Sequence, residues 1–304
     1  MKILVTGASG YVGSTLVPLL LQQQHQLTIV TRAAARLPQA WAPSVEIIEG
    51  DLCKAAVCEQ AVAGMDAVMH LAGLAHVSAS WQRHQQENFL NTRQLALAAL
   101  AAGVQVFVYV SSSKANFPDH SSYGKYKRDS EAMLLSLAGA MAVVCLRPGI
   151  IYGAGMRNNL RSLLRLLSRP ALPIFVRSAN PISMISTQDC CRAIMAALTN
   201  RALAGKVWEL NDGEAYTLAE LVIQVRRHRQ LPLPLFYAPR WLAGLALAAA
   251  GVIPALRKRG LGLHTYRALY CEPAALTTEF AVVSGIQPSS RFYELLPELL
   301  VQEQ

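Results

Sequence analysis

Short apolar runs alternate along most of the chain with longer stretches whose apolar positions recur every three to four residues. Residues 3–5, 27–31, 45–48, 67–72, 104–111, 142–146 and 207–211 are the short runs. They are rich in Val, Ile and Leu, as strands buried on both faces are. Residues 14–24, 55–62, 85–102, 123–137, 189–198 and 218–227 lie between or after them and suit helices. Strand and helix in alternation predict an α/β fold, a doubly wound parallel sheet covered on both faces. The pattern loosens after Tyr152, where Pro170, Pro173 and Pro181 punctuate the chain, and it turns irregular from Pro232. Residues 1–152, with 183–211 returning, are expected to form the larger lobe. Residues 153–182 and 212–304 are expected to form a smaller C-terminal lobe.

The first strand breaks into Thr6-Gly7-Ala8-Ser9-Gly10-Tyr11-Val12-Gly13, and a helix-compatible run follows at once. Gly7 suits a tight turn, Gly10 a close approach of backbone N–H groups to a pyrophosphate, and Gly13 close helix–strand packing. The following helix N-terminus adds free donors and a partial positive charge. Set between strand and helix, the motif predicts a Rossmann-type dinucleotide-binding lobe and a smaller C-terminal substrate lobe. A glycine-rich turn without a ligand is the bland alternative. A cleaved signal peptide fits poorly, because three glycines interrupt the apolar run and no small-residue cleavage site follows.

The second strand ends in Val30-Thr31-Arg32, where an NAD-binding chain places a carboxylate on the adenosine ribose. Arg32, with Arg36 a turn further on, suits a 2′-phosphate instead. NADP(H) is therefore expected ahead of NAD(H), unless Arg32 is simply a solvated loop charge.

Composition narrows the class without naming the chemistry. The 304 residues, 53% apolar and 15% charged, are enough for a full α/β core. Cys53, Cys58, Cys145, Cys190, Cys191 and Cys271 show no C-x-x-C spacing and read as buried thiols in a reducing, cytoplasmic setting. No histidine pair has metal-ligand spacing, so no metal is expected. The net charge of +9 suits an anionic substrate, a cofactor phosphate, nucleic acid or an anionic membrane. With no aromatic-interleaved basic patch, nucleic acid is not expected.

The reactive candidate is Tyr123-Gly124-Lys125-Tyr126-Lys127. A Y-x-x-x-K spacing places phenol and ammonium on one helix face. Lys127 is expected to draw the Tyr123 phenol down toward neutrality, so that it acts as acid or base, and to hydrogen-bond the nicotinamide ribose. The strand before it ends in Ser111-Ser112-Ser113, whose hydroxyls suit the orientation of a substrate carbonyl.

Several stretches fall in one familiar order. They are Thr6–Gly13, Asp51-Leu52, His70-Leu71-Ala72-Gly73, Asn88 with Thr92, Ser111-Ser112, Tyr123 to Lys127, Arg147-Pro148-Gly149-Ile150-Ile151-Tyr152-Gly153, residues 185–189 and Leu210-Asn211-Asp212-Gly213. In this order the chain resembles the extended short-chain dehydrogenase/reductases, and within them the NAD-dependent epimerase/dehydratase family acting on nucleotide sugars. The resemblance covers about residues 1–225 well and the tail loosely. It implies that Gly7, Ser9, Gly10, Tyr11, Val12 and Gly13 form the pyrophosphate turn. Asp51 and Leu52 would flank the adenine, Leu71, Ala72, Gly73 and Ser111 would line the cofactor cleft, and Pro148 and Ile150 would lie near the nicotinamide. Ser112, or its neighbour Ser113, would be the catalytic hydroxyl, Tyr123 the general acid/base and Lys127 its partner. Asn159 sits where relatives contact the nucleotide.

Three departures from that pattern bear on the substrate. Only ten residues separate Ser112 from Tyr123. Ile182 stands where relatives carry an arginine for the diphosphate, with Arg177 a conceivable replacement, and Glu272-Pro273 stands where they carry an aspartate. His70 and His76 read as structural, and Trp81 and Trp208 as core.

Residues 241–256 carry no charge and precede Arg257-Lys258-Arg259. They are too short to span a bilayer, which takes about 20 residues. They read as a helix of the substrate lobe or as an interfacial element, the latter giving peripheral membrane contact through 241–259. The expected function is 4-keto reduction or 4-epimerisation of a nucleotide sugar in surface-polysaccharide synthesis. The alternatives are a dehydrogenase of a steroid or lipid-linked alcohol at the membrane surface, and a non-catalytic cofactor-binding regulator. The resemblance also implies a homodimer through residues 85–102 and 125–137, which their composition does not decide.

Overall fold

The run VFVYV at Val106–Val110 is buried at every position and lies inside the sheet, between two other parallel strands. The computed structural model describes residues 1–75, 79–156, 158–171, 174–176, 178, 180–253, 266–267 and 271–301. One seven-stranded sheet comprises β1 (Lys2–Thr6), β2 (Gln26–Thr31), β3 (Val45–Glu49), β4 (Ala67–His70), β5 (Val106–Val110), β6 (Ala142–Pro148) and β7 (Lys206–Leu210). Their order is β7-β6-β5-β4-β1-β2-β3, and every pairing is parallel. The expected Rossmann-type α/β sheet is the one found.

Helices cover both faces. On one, α1 (Tyr11–Gln22) buries Leu16, Val17 and Leu20 against Ile3, Val5 and Ile29 of the sheet. On the other, α2 (Ala55–Val62), α3 (Asn91–Ala101) and α4 (Ser122–Leu135) pack onto Leu4, Val68, Phe107 and Val143. A short helix, Trp81–His84, and a π-helical turn, Gln85–Leu90, lead into α3. A third apolar cluster joins α5 (Asn159–Leu167), α7 (Leu218–His228) and α9 (Phe292–Val301) around Tyr152, Met184 and Tyr216. Between α5 and α7 in sequence, α6 (Thr187–Thr199) returns to the first face and packs on α1. The uncharged stretch near residue 241 forms α8 (Arg240–Val252). Residues 254–259, including Arg257-Lys258-Arg259, and His76 lie outside the described residues.

Strand order reverses between β1 and β4, which opens a crevice at their C-terminal ends. Two expectations fail at the level of burial. Cys53 and Cys271 are exposed, whereas Cys58, Cys145, Cys190 and Cys191 are buried as expected. Trp81 is half exposed on its short helix and meets Tyr126 edge-on at 5.2 Å, while Trp208 is in the core.

Candidate active site

The turn between β1 and α1 is shaped by backbone proximity. Gly7 has φ +74°, and a Cβ there would lie 2.7 Å from the Ala72 nitrogen. A Cβ on Gly13 would lie 2.4 Å from the Gly7 carbonyl oxygen. These glycines let the turn lie against the end of β4, and Ser9 and Gly10 face solvent at the crevice. Tyr11 reaches across to α6, its phenol oxygen 2.5 Å from Thr187 Oγ1, and burial pushes that phenol up to about 12. Val12 is half-buried on α1 and its carbonyl accepts a contact from the Cys191 thiol.

The opposite wall is fixed by side chains of β1 and the π-helical turn. The Ala72 N–H donates to Thr6 Oγ1 at 3.2 Å. Asn88 accepts from the Leu74 N–H at 2.8 Å and donates to the Leu74 carbonyl at 3.1 Å, mimicking a strand partner for Leu71-Ala72-Gly73-Leu74. A Cβ on Gly73 would lie 2.8 Å from Asn88 Oδ1 and 3.4 Å from Lys127 Nζ. Gly73 thus brings this wall directly to the lysine. His70 is fully buried between Thr6 Oγ1 (2.7 Å) and Thr92 Oγ1 (2.9 Å), the structural role expected of it. Burial, helped by the Lys127 charge, lowers it to about 3. At the far end of the crevice Leu52 is buried, while Asp51 accepts from the Cys53 N–H at 3.0 Å. Open backbone at Ser9 and Gly10, with glycines that no Cβ can replace, fits a dinucleotide pyrophosphate.

Tyr123 begins α4, whose N-cap Ser121 accepts from the Gly124 N–H at 3.0 Å. The Ser112 hydroxyl lies close enough to the Tyr123 phenol to favour its ionised form. A Cβ on Gly124 would lie 2.4 Å from the Lys114 carbonyl oxygen, so the glycine lets the Ser112–Lys114 segment close onto α4. One turn on, Lys127 is buried and donates to the Val110 carbonyl at 2.8 Å, with its ammonium 4.6 Å from the centre of the Tyr109 ring. Burial lowers Lys127 to about 8.

The Tyr123 phenol departs from expectation. Burial raises it above its ordinary value, and the Ser112 hydroxyl opposes that only in part. Lys127 is engaged with Val110 and Tyr109, so the phenol stays protonated instead of being drawn toward neutrality.

Beneath this pair lies a polar network that sequence reading missed. Arg147 grips Glu131 with two nitrogens, at 2.8 and 2.5 Å, and reaches Asn116 at 2.6 Å and Glu209 at 3.2 Å. Glu131 also accepts from the Ser111 hydroxyl at 2.5 Å. Ser111 therefore turns its side chain into the interior. The network joins β6, β7, α4 and Ser111, just past the end of β5, to the loop after Ser112. Glu131 stands four residues after Lys127 on α4, the one signal that could have pointed to it.

That loop forms two short 3-10 turns, Ser113–Asn116 and Pro118–His120. The first is capped by Ser112, which accepts from the Lys114 N–H at 3.2 Å, and Ser113 opens it. Glu272, from the C-terminal part of the chain, pairs with Lys114 and accepts from His120 Nδ1 at 3.0 Å. The carboxylate is nearly buried.

The remaining site residues are more scattered. Pro148 ends β6 in a buried position, and Ile150 is partly exposed beyond it. Asn159 is exposed at the start of α5, while its neighbour Asn158 caps that helix. Ile182 pairs with Tyr216 in a short antiparallel ribbon. Arg177 lies outside the described residues. Arg32 is not the unpaired cation that the sequence suggested, because its Nη1 lies 2.8 Å from Glu87 Oε1 on the π-helical turn. The preference for NADP(H) rested on an unopposed Arg32 and loses its support here.

Comparison with known proteins identifies the family. The model of the NAD dependent epimerase/dehydratase family matches residues 3–211. The chain is 28% identical to a UDP-glucose 4-epimerase of Vibrio cholerae, over 77% of this chain and 79% of that one. It is 29% identical to a 3 beta-hydroxysteroid dehydrogenase/Delta 5-->4-isomerase of Mycobacterium tuberculosis, over 72% and 67% respectively. Among solved structures, MoeE5 in complex with UDP-glucose and NAD superposes with a TM-score of 0.76 at 23% identity, covering 99% of this chain and 98% of that one. With a parallel sheet, a glycine turn at its switch point and the family's match across both, this chain belongs to the NAD dependent epimerase/dehydratase family and is an NAD(P)-dependent enzyme of that kind.

Proposed function

We propose that the protein interconverts a secondary alcohol and a ketone on a nucleotide sugar, by 4-keto reduction ahead of 4-epimerisation, in the synthesis of a surface polysaccharide. The observation that carries the chemistry is Tyr123 at the start of α4, with the Ser112 hydroxyl near its phenol and Lys127 one turn on. A carbonyl oxygen placed between the two side chains accepts from both hydroxyls. Ser112 holds the oxygen, and Tyr123, kept protonated by burial, donates a proton as negative charge develops there. Lys127 supplies positive charge beside the cofactor wall at Gly73. When bound, the nicotinamide supplies or accepts the hydride.

NAD(H) is the proposed cofactor. Glu87 brings to the end of β2 the carboxylate that the local sequence lacks, and it neutralises Arg32. A non-catalytic regulator is disfavoured, since such a role has no use for Ser112, Tyr123 and Lys127 together.

One observation favours a second reading, reduction of a steroid or lipid-linked ketone. Glu272 stands where relatives carry an aspartate, and its carboxylate is taken up by Lys114 and His120. Titration of the purified protein with NADH and NADPH, repeated with UDP-, GDP- and dTDP-sugars, separates the readings. NADH binding tightened by one nucleotide sugar supports the first. NADH binding indifferent to all of them moves the assignment to the second.

A further inference from the structure

From Leu221 to Cys271 the chain contains no aspartate or glutamate, although the whole protein has 19. The same stretch holds Arg226, Arg227, Arg229, Arg240, Arg257, Lys258, Arg259 and Arg267. Its other side chains are largely apolar. A solvated surface segment of this length ordinarily mixes both signs of charge.

The structure shows where the apolar side chains go. Among the described residues, Leu233, Leu235, Phe236, Trp241, Leu242, Leu245, Val252 and Ile253 are all exposed within residues 233–253. Leu235 is 78% exposed, Phe236 68%, Trp241 62%, Leu245 61% and Val252 82%. Within α8, Trp241, Leu245 and Val252 are spaced four and seven residues apart and so share one face. To one side of that stripe, Gly244 lies against the Tyr266 ring. α8 thus turns an apolar stripe outward, where a water-facing helix carries charge. At 13 residues it is about 20 Å long, short of the roughly 30 Å hydrocarbon core. None of the described helices is long and apolar enough to cross a membrane.

We infer that the region from Leu233 to Ile253 is a membrane-docking face, which lies in the headgroup layer of an anionic bilayer. The apolar stripe enters the acyl boundary, and Trp241 sits at the level where indole rings favour the interface. Arg226 is buried against the Leu167 and Arg169 carbonyls, but the rest of this basic sequence has no acidic residue and complements negative lipid, which a second copy of this +9 chain does not. The inference does not rest on the proposed substrate. The chain continues from α8 toward Glu272, which fastens the loop between Ser112 and Tyr123. A docked α8 therefore places the substrate side of the crevice close in sequence to the lipid surface.

Vesicle flotation of the full chain tests this, with phosphatidylcholine alone and with phosphatidylcholine plus phosphatidylglycerol. Binding to the anionic vesicles is expected to be at least about tenfold tighter, the scale of one or two basic residues at such a surface, and to weaken with salt. Trp241→Glu with Leu245→Glu, and separately Leu235→Glu with Phe236→Glu, should abolish flotation while NADH binding and circular dichroism stay unchanged. Equal flotation on both vesicle types, or none on either, overturns the inference. So does sedimentation as a dimer that Leu245→Glu dissociates, which would assign the face to a second copy.

Discussion

Lys114 and Glu272 stand 158 residues apart in sequence and form an ion pair beside the site, with His120 on the other oxygen of the same carboxylate. Both partners of the carboxylate belong to the loop that joins Ser112 to Tyr123. The C-terminal part of the chain thereby fixes the spacing of the two hydroxyls. Glu272→Ala should lower turnover by about tenfold or more, since small displacements of a reacting group are costly, while NADH affinity stays unchanged. Steady-state kinetics alongside a cofactor titration check this. An equal loss in both would mean that the carboxylate supports the whole fold instead.

Glu87→Gln leaves Arg32 without its carboxylate. The ratio of NADPH to NADH affinity should rise by about fivefold, the scale of one exposed ion pair. Fluorescence titration with both nucleotides reads it. Arg32→Ala should move the ratio the other way.

His70 is held neutral, lowered to about 3 by burial and by Lys127. In the unfolded chain it takes up a proton below about pH 6.5, while the folded protein resists it until about pH 3. Its contribution is therefore complete above about pH 6.5 and is lost as the pH falls toward 3, with a slope of up to about 1.4 kcal/mol per pH unit. His70→Gln keeps a partner for Thr6 and Thr92 and should flatten this slope. Urea unfolding at a series of pH values in that window measures it.

Gly124→Ala would ordinarily stabilise a helix by up to about 1 kcal/mol. Here the added Cβ meets the Lys114 carbonyl oxygen at 2.4 Å, so the sign reverses. The variant should lose about 1–3 kcal/mol, the scale of overpacking, and should turn over more slowly because Ser112 is pushed from Tyr123. Thermal unfolding and turnover should fall together.

The sheet was legible because each strand is a short β-rich apolar run and each cross-connection has helical spacing. The glycine turn was legible because Gly7, Gly10 and Gly13 sit at fixed offsets from β1. What escaped was everything set by partners distant in sequence. Arg32 reads as a free cation until the π-helical turn brings Glu87 to it. Tyr123 reads as a depressed phenol until Lys127 is seen on Val110 and Tyr109, and burial is left to raise it. Trp81 is expected in the core, yet its helix lies at the surface. The Glu131–Arg147–Glu209 network has no motif, because its members come from three separate elements.

The most direct test of the account is Tyr123→Phe, assayed by loss of reduced-nicotinamide absorbance with whichever ketone the wild type accepts. The variant keeps the ring and loses only the proton donor. Turnover should fall by at least about a hundredfold, the contribution of a positioned general acid, with NADH binding intact. Turnover within about twofold of wild type, against that expected loss, would contradict the assignment of Tyr123 as the acid.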